Sequence, residues 1–316
     1  MSAPQIVVVA GPTATGKTRL GILLARALDG EIVSADSMQV YRRMDVGTAK
    51  ATPAERAEAP HHMLDVAEPR ENYSVSRYVE AASACCDDIL ARGKLPILVG
   101  GTGLYIDSLL AGRGFAGRGE GEESLRESLN ARWDAEGGEA LLEELRSFDP
   151  ERAAKLHPSD RRRIVRAIEI YRLTGETISE HDARTRAMPP RYEAARIHLT
   201  YRSRAELYAR IDARVDAMVA AGLFEEVAAL LSEGVPSDCT AMRAIGYKET
   251  AAALRGELSR AEAIALIKQS SRRYAKRQLT WFSRSADALE IAWDGAPDFD
   301  EALRVSTEFL AGRGLS

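Results

Sequence analysis

Gln5-Ile6-Val7-Val8-Val9-Ala10-Gly11-Pro12-Thr13-Ala14-Thr15-Gly16-Lys17-Thr18 is the stretch whose reading decides the fold. Its first six residues are nearly all apolar and rich in β-branched side chains, as in a strand buried on both faces of a parallel sheet. The next eight complete a G-x-x-x-x-G-K-[ST] pattern. After it Leu20, Leu23, Leu24, Ala27 and Leu28 recur at helical spacing, and Asp29-Gly30 stops the helix. Strand, glycine loop and helix open a βαβ unit. In such a loop successive amide hydrogens turn inward, the helix N-terminus adds partial positive charge, Lys17 adds a full one, and the Thr18 hydroxyl is placed to ligate Mg²⁺. Gly11, Pro12, Thr13, Ala14, Thr15, Gly16, Lys17 and Thr18 are therefore expected to hold a diphosphate or triphosphate, with Thr18 as the metal ligand.

Working outward, short apolar runs at 31–35, 96–99, 196–200 and 288–293 extend the sheet to about five parallel strands, and a helix is expected around 78–91. Residues 112–121 carry five glycines in ten positions, which reads as a hinge or linker. Beyond them only helical periodicity appears, with breaks at Gly137-Gly138, Asp149-Pro150, His157-Pro158 and Gly175. The expected architecture is α/β: a parallel sheet flanked by helices, formed by 1–114 and 193–316, with an all-helical insertion at 115–192. The 316 residues carry a formal charge of -4, so any polyanion must meet a local basic surface. Three cysteines, two of them adjacent, make no disulfide framework or zinc pattern and fit a reducing, cytoplasmic setting. No run approaches the length of a membrane span.

Two further loops follow strands: Ser34-Ala35-Asp36-Ser37-Met38-Gln39-Val40-Tyr41 and Gly100-Gly101-Thr102-Gly103-Leu104-Tyr105. In a doubly wound sheet both face the phosphate loop across the carboxyl edge. Asp36 there can take a proton or ligate a metal, although Asp36-Ser37 also reads as a turn or cap, and Thr102 as a helix N-cap. An ATPase would place an acid at the end of the 96–99 strand; Gly100-Gly101 stands there instead.

The chain resembles the bacterial tRNA dimethylallyltransferase family (tRNA isopentenyltransferases), a family with a P-loop NTPase-like core. The resemblance is carried by GPTATGKT at 11–18, DSMQVYRRMDVGTAK at 36–50, PHHMLD at 60–65, GGTGLYIDSLL at 100–110 and RAIGYKE at 243–249, in family order along the chain. Two positions depart from the family pattern: Ala51 where a proline is usual, and Arg162 where glutamine is. The resemblance implies transfer of a dimethylallyl group from its diphosphate, with Mg²⁺, to the exocyclic amine of the adenine 3′-adjacent to the anticodon of tRNA. It implies Asp36 as base, Lys17 and Arg214 on the leaving diphosphate, and Thr102 orienting the amine or a phosphate oxygen. For Arg214 an ordinary helix-face ion pair is an equal reading. It further implies tRNA contacts from Asp36, Ser37, Met38, Gln39, Thr102, Arg126, Arg162, Arg163, Ile164, Val165, Arg166, Arg243, Ala244, Ile245, Gly246, Tyr247, Lys248 and Glu249.

The charge pattern offers places for RNA. Residues 268–284 hold six basic and no acidic side chains, interleaved with Tyr274, Trp281 and Phe282, and a second basic cluster spans 161–172. Both also read as solvated helix faces with intrachain ion pairs, the aromatics as core. His61-His62 lacks a companion carboxylate or cysteine set and reads as structural. A monomeric enzyme acting on the anticodon stem-loop and dimethylallyl diphosphate is expected; the alternatives are a P-loop small-molecule kinase, an adenylate isopentenyltransferase and a non-catalytic RNA binder.

Overall fold

The computed structural model describes residues 4–112 and 122–315. The chain divides into two compact units, residues 1–112 with 191–316, and residues 113–190; the expected insertion was 115–192. The glycine-rich hinge expected at 112–121 lies, apart from Gly112, outside the described residues.

The larger unit contains β1 (Gln5–Ala10), α1 (Lys17–Ala27), β2 (Gly30–Ala35), α2 (Pro53–Glu58), β3 (His61–His62), α3 (Val75–Ala91), β4 (Leu95–Gly100) and α4 (Gly103–Ala111). The smaller contains α5 (Glu122–Glu136), α6 (Gly138–Phe148), α7 (Pro150–Ala153), α8 (Arg161–Thr174) and α9 (Ile178–Ala187). The larger unit resumes with β5 (Glu193–Tyr201), α10 (Arg204–Ala220), α11 (Leu223–Ser232), α12 (Tyr247–Leu254), α13 (Arg260–Phe282), β6 (Leu289–Trp293) and α14 (Phe299–Ala311).

Among the described residues the sheet has six strands, not about five, in the order β3-β2-β4-β1-β5-β6, and every pairing is parallel. The strand that the sequence reading missed is β3. Two residues are too few to show periodicity; they are extended because they pair with Ile32 and Val33. His61 holds the Ala59 carbonyl through Nδ1 at 2.8 Å, and His62 meets Glu31 at 2.7 Å, so both histidines have structural partners. The central strands are apolar on both faces because helices cover both. Ile6, Val7, Val8 and Val9 are fully buried, and α1 lays Leu20 and Leu24 on the sheet. With β2, β4 and β1 side by side, the loops leaving them emerge next to one another at the carboxyl edge, the usual position for a ligand in an open α/β sheet.

The helical unit has its own core, built on Leu129, Leu141, Leu145, Ile164 and Ile168. Its helices stop where the sequence breaks them. Gly137 and Gly175 take positive φ at helix ends, and Asp149 caps α7 by accepting the Arg152 amide at 3.0 Å.

Candidate active site

The phosphate loop is fixed by its own backbone and by two distant elements. Gly11 adopts φ 144°, and a Cβ there would lie 2.2 Å from the Leu199 carbonyl oxygen of β5. Gly16 adopts φ 83° and would strike the Phe299 ring. No side chain is tolerated at either position. Thr15 is buried and donates its hydroxyl to the Pro12 carbonyl at 2.8 Å, while Trp293 Nε1 donates to the Thr15 carbonyl at 3.0 Å. Lys17 Nζ donates to the Pro12 carbonyl at 2.6 Å. Burial, reinforced by the neighbouring Arg214 charge, lowers the Lys17 pKa to about 7, against the opposing pull of Asp36.

Arg214 comes to this cluster from α10. It is no helix-face ion pair: it has no salt bridge among the described residues, and its Nε is buried without a hydrogen-bond partner. Burial pulls its pKa below the usual guanidinium range, and the Asp36 charge pulls the other way. Two desolvated cations thus face one carboxylate.

Asp36 begins an Asx turn in which Oδ1 accepts the amides of Met38 at 2.8 Å and Gln39 at 3.3 Å. The turn reading and the functional one are compatible, because Oδ2 has no hydrogen-bond partner among the described residues. Thr102 occupies the N-cap position of α4 but makes no side-chain cap there. Its Oγ1 instead accepts the Ser37 amide at 3.0 Å, and its own amide donates to the Ala35 carbonyl at 3.1 Å. The loops after β2 and β4 are stitched together by these bonds.

Two residues of α13 that the sequence reading did not place in the site belong to it. Gln278 is buried; its Oε1 accepts the Thr13 amide at 3.0 Å, and its Nε2 donates to the Gly101 carbonyl at 2.9 Å, so one side chain joins the phosphate loop to the loop after β4. Tyr274 lies one turn away with its hydroxyl 3.5 Å from the Gly101 oxygen. Burial, then the charge of Asp36, push its phenol up to about 12, so it stays a donor at neutral pH. The sequence signal nearest to them was the basic run 268–284, where Tyr274 is one of the interleaved aromatics and Gln278 carries no signal of its own.

The residues expected to touch RNA divide by environment. Ile164 and Val165 are buried in the core of the helical unit, so their side chains are committed to packing. Arg126 and Arg166 pair with the buried carboxylate of Glu169 at 2.8 and 2.7 Å. Arg162 and Arg163 are exposed on α8. In the segment 243–249, Ala244, Gly246, Tyr247 and Glu249 are buried and Ile245 partly so, while Arg243 and Lys248 are exposed. Glu249 accepts the Gly246 amide at 2.9 Å and shapes that turn. Along α13, Lys268 and Arg272 pair with Asp216 and Asp212 of α10 at 2.7 and 2.5 Å, whereas Arg273, Lys276 and Arg277 are exposed. Trp281, partly buried, packs over Gly103 and donates to Asp107 at 2.8 Å, and Phe282 is buried in the core.

Known proteins resemble this chain along nearly its whole length. The IPP transferase family model matches residues 39–285, and an isopentenyl transferase model matches residues 4–66. The tRNA dimethylallyltransferase of Geobacillus thermodenitrificans is 50% identical over 312 residues, covering 98% of this chain and 97% of its own. That of Thermoanaerobacter pseudethanolicus is 45% identical over 98% of this chain and 99% of its own. Among solved structures, the tRNA isopentenylpyrophosphate transferase of Bacillus halodurans superposes with a TM-score of 0.72 at 40% identity, covering 99% of this chain and 97% of its own. A eukaryotic dimethylallyltransferase described as acting on tRNA superposes with a TM-score of 0.80 at 28% identity, covering 98% of this chain and 80% of its own. With relatives this similar along nearly its whole length, the chain belongs to the IPP transferase family, the family of the tRNA dimethylallyltransferases.

Proposed function

We infer that the chain transfers a dimethylallyl group from dimethylallyl diphosphate to the N6 amine of the adenine 3′-adjacent to the anticodon in tRNA, releasing diphosphate. The observation that carries this reading is the unbalanced charge at the sheet edge. Lys17 and Arg214 are desolvated, neither has an anionic hydrogen-bond partner among the described residues, and one oxygen of the carboxylate beside them has no hydrogen-bond partner among those residues. Such a site is complementary to a departing diphosphate on one side and to a proton donor on the other.

In the reaction a bond forms between N6 and the allylic carbon as the bond from that carbon to the diphosphate oxygen breaks. The amine lone pair is delocalised into the purine ring, so the nucleophile is poor until its proton is taken. Asp36 accepts that proton through the oxygen left free by the Asx turn. Thr102, itself fixed by the Ser37 amide, orients the amine. Lys17, Arg214 and the amides of Gly16, Lys17 and Thr18 neutralise the leaving group.

Mg²⁺ fits this donor set. It is held by one or two protein oxygens plus substrate phosphates rather than by a full protein cage. Thr18 at the start of α1 is the residue that would hold it, and no cluster of three or more acidic, histidine or cysteine ligands occurs among the described residues. When bound it supplies charge neutralisation on the diphosphate.

For RNA, the exposed cations Arg162, Arg163, Arg243, Lys248, Arg273 and Lys276 are our choice of backbone contacts, and Ser37, Met38 and Gln39 of base contacts. The adenine leaves its stack to reach Asp36, at a cost of a few kcal/mol. No helix among the described residues is long and apolar enough to cross a membrane; we place the activity in the cytoplasm, with its tRNA substrate.

The test is incubation of the protein with Mg²⁺, labelled dimethylallyl diphosphate and either unmodified tRNA or AMP. Label on the adenine beside the anticodon is expected. Label on AMP alone would identify a free-nucleotide enzyme, and phosphoryl transfer from ATP with no prenyl transfer would identify a kinase.

A further inference from the structure

We propose that Glu226 of α11 is a positioning residue for the reaction: it anchors the segment 36–50, and through it the turn that carries Asp36. The inference rests on the prenyl-transfer reading above. Its basis is the set of donors around one carboxylate. Glu226 Oε2 accepts the amides of Asp45 at 2.8 Å and Val46 at 2.7 Å, and Oε1 accepts the amide of Gly47 at 3.1 Å and the Tyr247 hydroxyl at 2.5 Å. Three consecutive amides turned onto one anion form a backbone nest, so the segment is shaped around a side chain from more than 170 residues downstream. The fit is close. A Cβ at Gly47 would stand 2.5 Å from the Tyr247 ring and 2.8 Å from Leu223.

The nest connects to the catalytic turn by polar links. Lys50 is buried and donates to the Tyr41 carbonyl at 2.7 Å, to Asp45 at 2.6 Å and to Asp65 at 2.7 Å, which closes the segment on itself. Gln39 Nε2 donates to the carbonyls of Thr48 at 3.3 Å and Ala49 at 3.4 Å, and its Oε1 accepts the Ser34 hydroxyl at 3.0 Å. The Gln39 amide in turn holds Asp36 Oδ1. Moving residues 45–49 therefore moves Gln39, and moving Gln39 re-aims Asp36. The phosphate loop is bonded to Gln278 of α13 and Trp293 of β6 and packs at Gly11 against Leu199 of β5, and none of these contacts runs through residues 45–49.

That separation gives the test. Glu226→Gln keeps the size but replaces one of the two accepting oxygens with an NH₂ that faces N–H or O–H donors, opening the nest on that side. Displacing a reacting group by about 1 Å costs on the order of 10²-fold in rate, so we expect single-turnover transfer at saturating tRNA and dimethylallyl diphosphate to fall tenfold or more. The KM for dimethylallyl diphosphate should stay within about twofold of wild type. Glu226→Asp, which restores the anion at shorter reach, should recover part of the rate. Tyr247→Phe, which removes one donor of four, serves if Glu226→Gln does not fold; a few-fold loss in the same constant is expected. Wild-type single-turnover rates in folded Glu226→Gln, or in Tyr247→Phe where only that folds, would overturn the proposal. A loss appearing equally in the KM for the diphosphate would do so too. Wild-type protein assayed alongside separates this outcome from failure of the functional reading, which would leave the wild type itself without prenyl transfer.

Discussion

If Lys17 holds the leaving diphosphate, the pH dependence of the enzyme should carry its signature. In the free site the ammonium donates to one backbone carbonyl, is shut away from water and stands near Arg214, which together bring its pKa to about 7. Only the protonated form is a cation for the diphosphate. The reactive fraction is about one half at pH 7.0 and about one in thirty at pH 8.5, so kcat/KM for dimethylallyl diphosphate should fall roughly fifteenfold over that interval. The kcat profile should behave differently. Once the diphosphate is bound its negative charge holds the proton on Lys17, and the fall in kcat moves to markedly higher pH. Steady-state profiles from pH 6.5 to 9.0 at fixed saturating tRNA measure both. Two variants assign the break: Lys17→Arg cannot lose its charge and should flatten the kcat/KM profile at a lower level. Arg214→Gln removes the cation that depresses Lys17 and should shift the break upward. A wild-type kcat/KM that is flat from pH 7 to 9, or a break that survives unchanged in Lys17→Arg, would refute the reasoning.

Removing the base by Asp36→Ala should lower the single-turnover rate by roughly 10² to 10⁴ while tRNA affinity, measured by filter binding, changes little; a near-normal rate would exclude Asp36 from proton transfer. Salt titration of tRNA binding should give a steep log–log slope, shallower by about one for each exposed cation removed at Arg243 or Arg273. Arg272→Ala should leave that slope unaltered, because Arg272 is already paired with Asp212. Away from the site, the buried Glu31 is held by Arg92, bidentate, and by His62, which keep its carboxyl down at about 2 against the penalty of burial. A depressed carboxyl stabilises the fold above its unfolded-state pKa near 4.5 and loses that contribution as pH falls toward 2. Arg92→Ala should therefore lower the stability measured by urea unfolding at pH 7, and lower it by less than half as much at about pH 2.5. An equal cost at both pH values would show that Arg92 acts by packing alone.

What could be read in the sequence and what could not follow from how local each feature is. β1, the phosphate loop and α1 are adjacent in the chain and carry their own signals: β-branched residues, two glycines at required positions, a leucine stripe. Asp36 and Thr102 were legible because each sits directly after an apolar run, where parallel strands deliver loops to one edge. Strand order was not legible, since β4 enters between β2 and β1 for reasons of packing that no local pattern records. The same limit hid Gln278, Tyr274 and Glu226. On their helices Gln278 and Glu226 read as further polar positions and Tyr274 as one aromatic of a basic run, and their partners lie 21 to 265 residues away. Motif resemblance erred in the opposite direction at Ile164 and Val165, where a matching segment contains core residues as well as exposed ones.

The sheet edge also bears on why this phosphate loop serves group transfer rather than ATP hydrolysis. The acid that an ATPase would carry at the end of the strand beside β1 has no room here: a Cβ on Gly100 would lie 2.2 Å from the Ala35 carbonyl oxygen, so that position admits glycine alone. The carboxylate instead leaves the next strand over, as Asp36 after β2, and is tied back across β4 by the bond from the Ser37 amide to Thr102. On the proposed reading the edge holds, in order, the base at β2, the orienting hydroxyl at β4 and the diphosphate cradle at β1. A nucleophile deprotonated at the first position and a leaving group held at the third put bond making and bond breaking on opposite sides of the transferred carbon, which is the requirement of a displacement. A kinase built on this edge would have Asp36 to serve both its metal and its hydroxyl acceptor, because the Gly100 contact prevents a second acid at the end of β4.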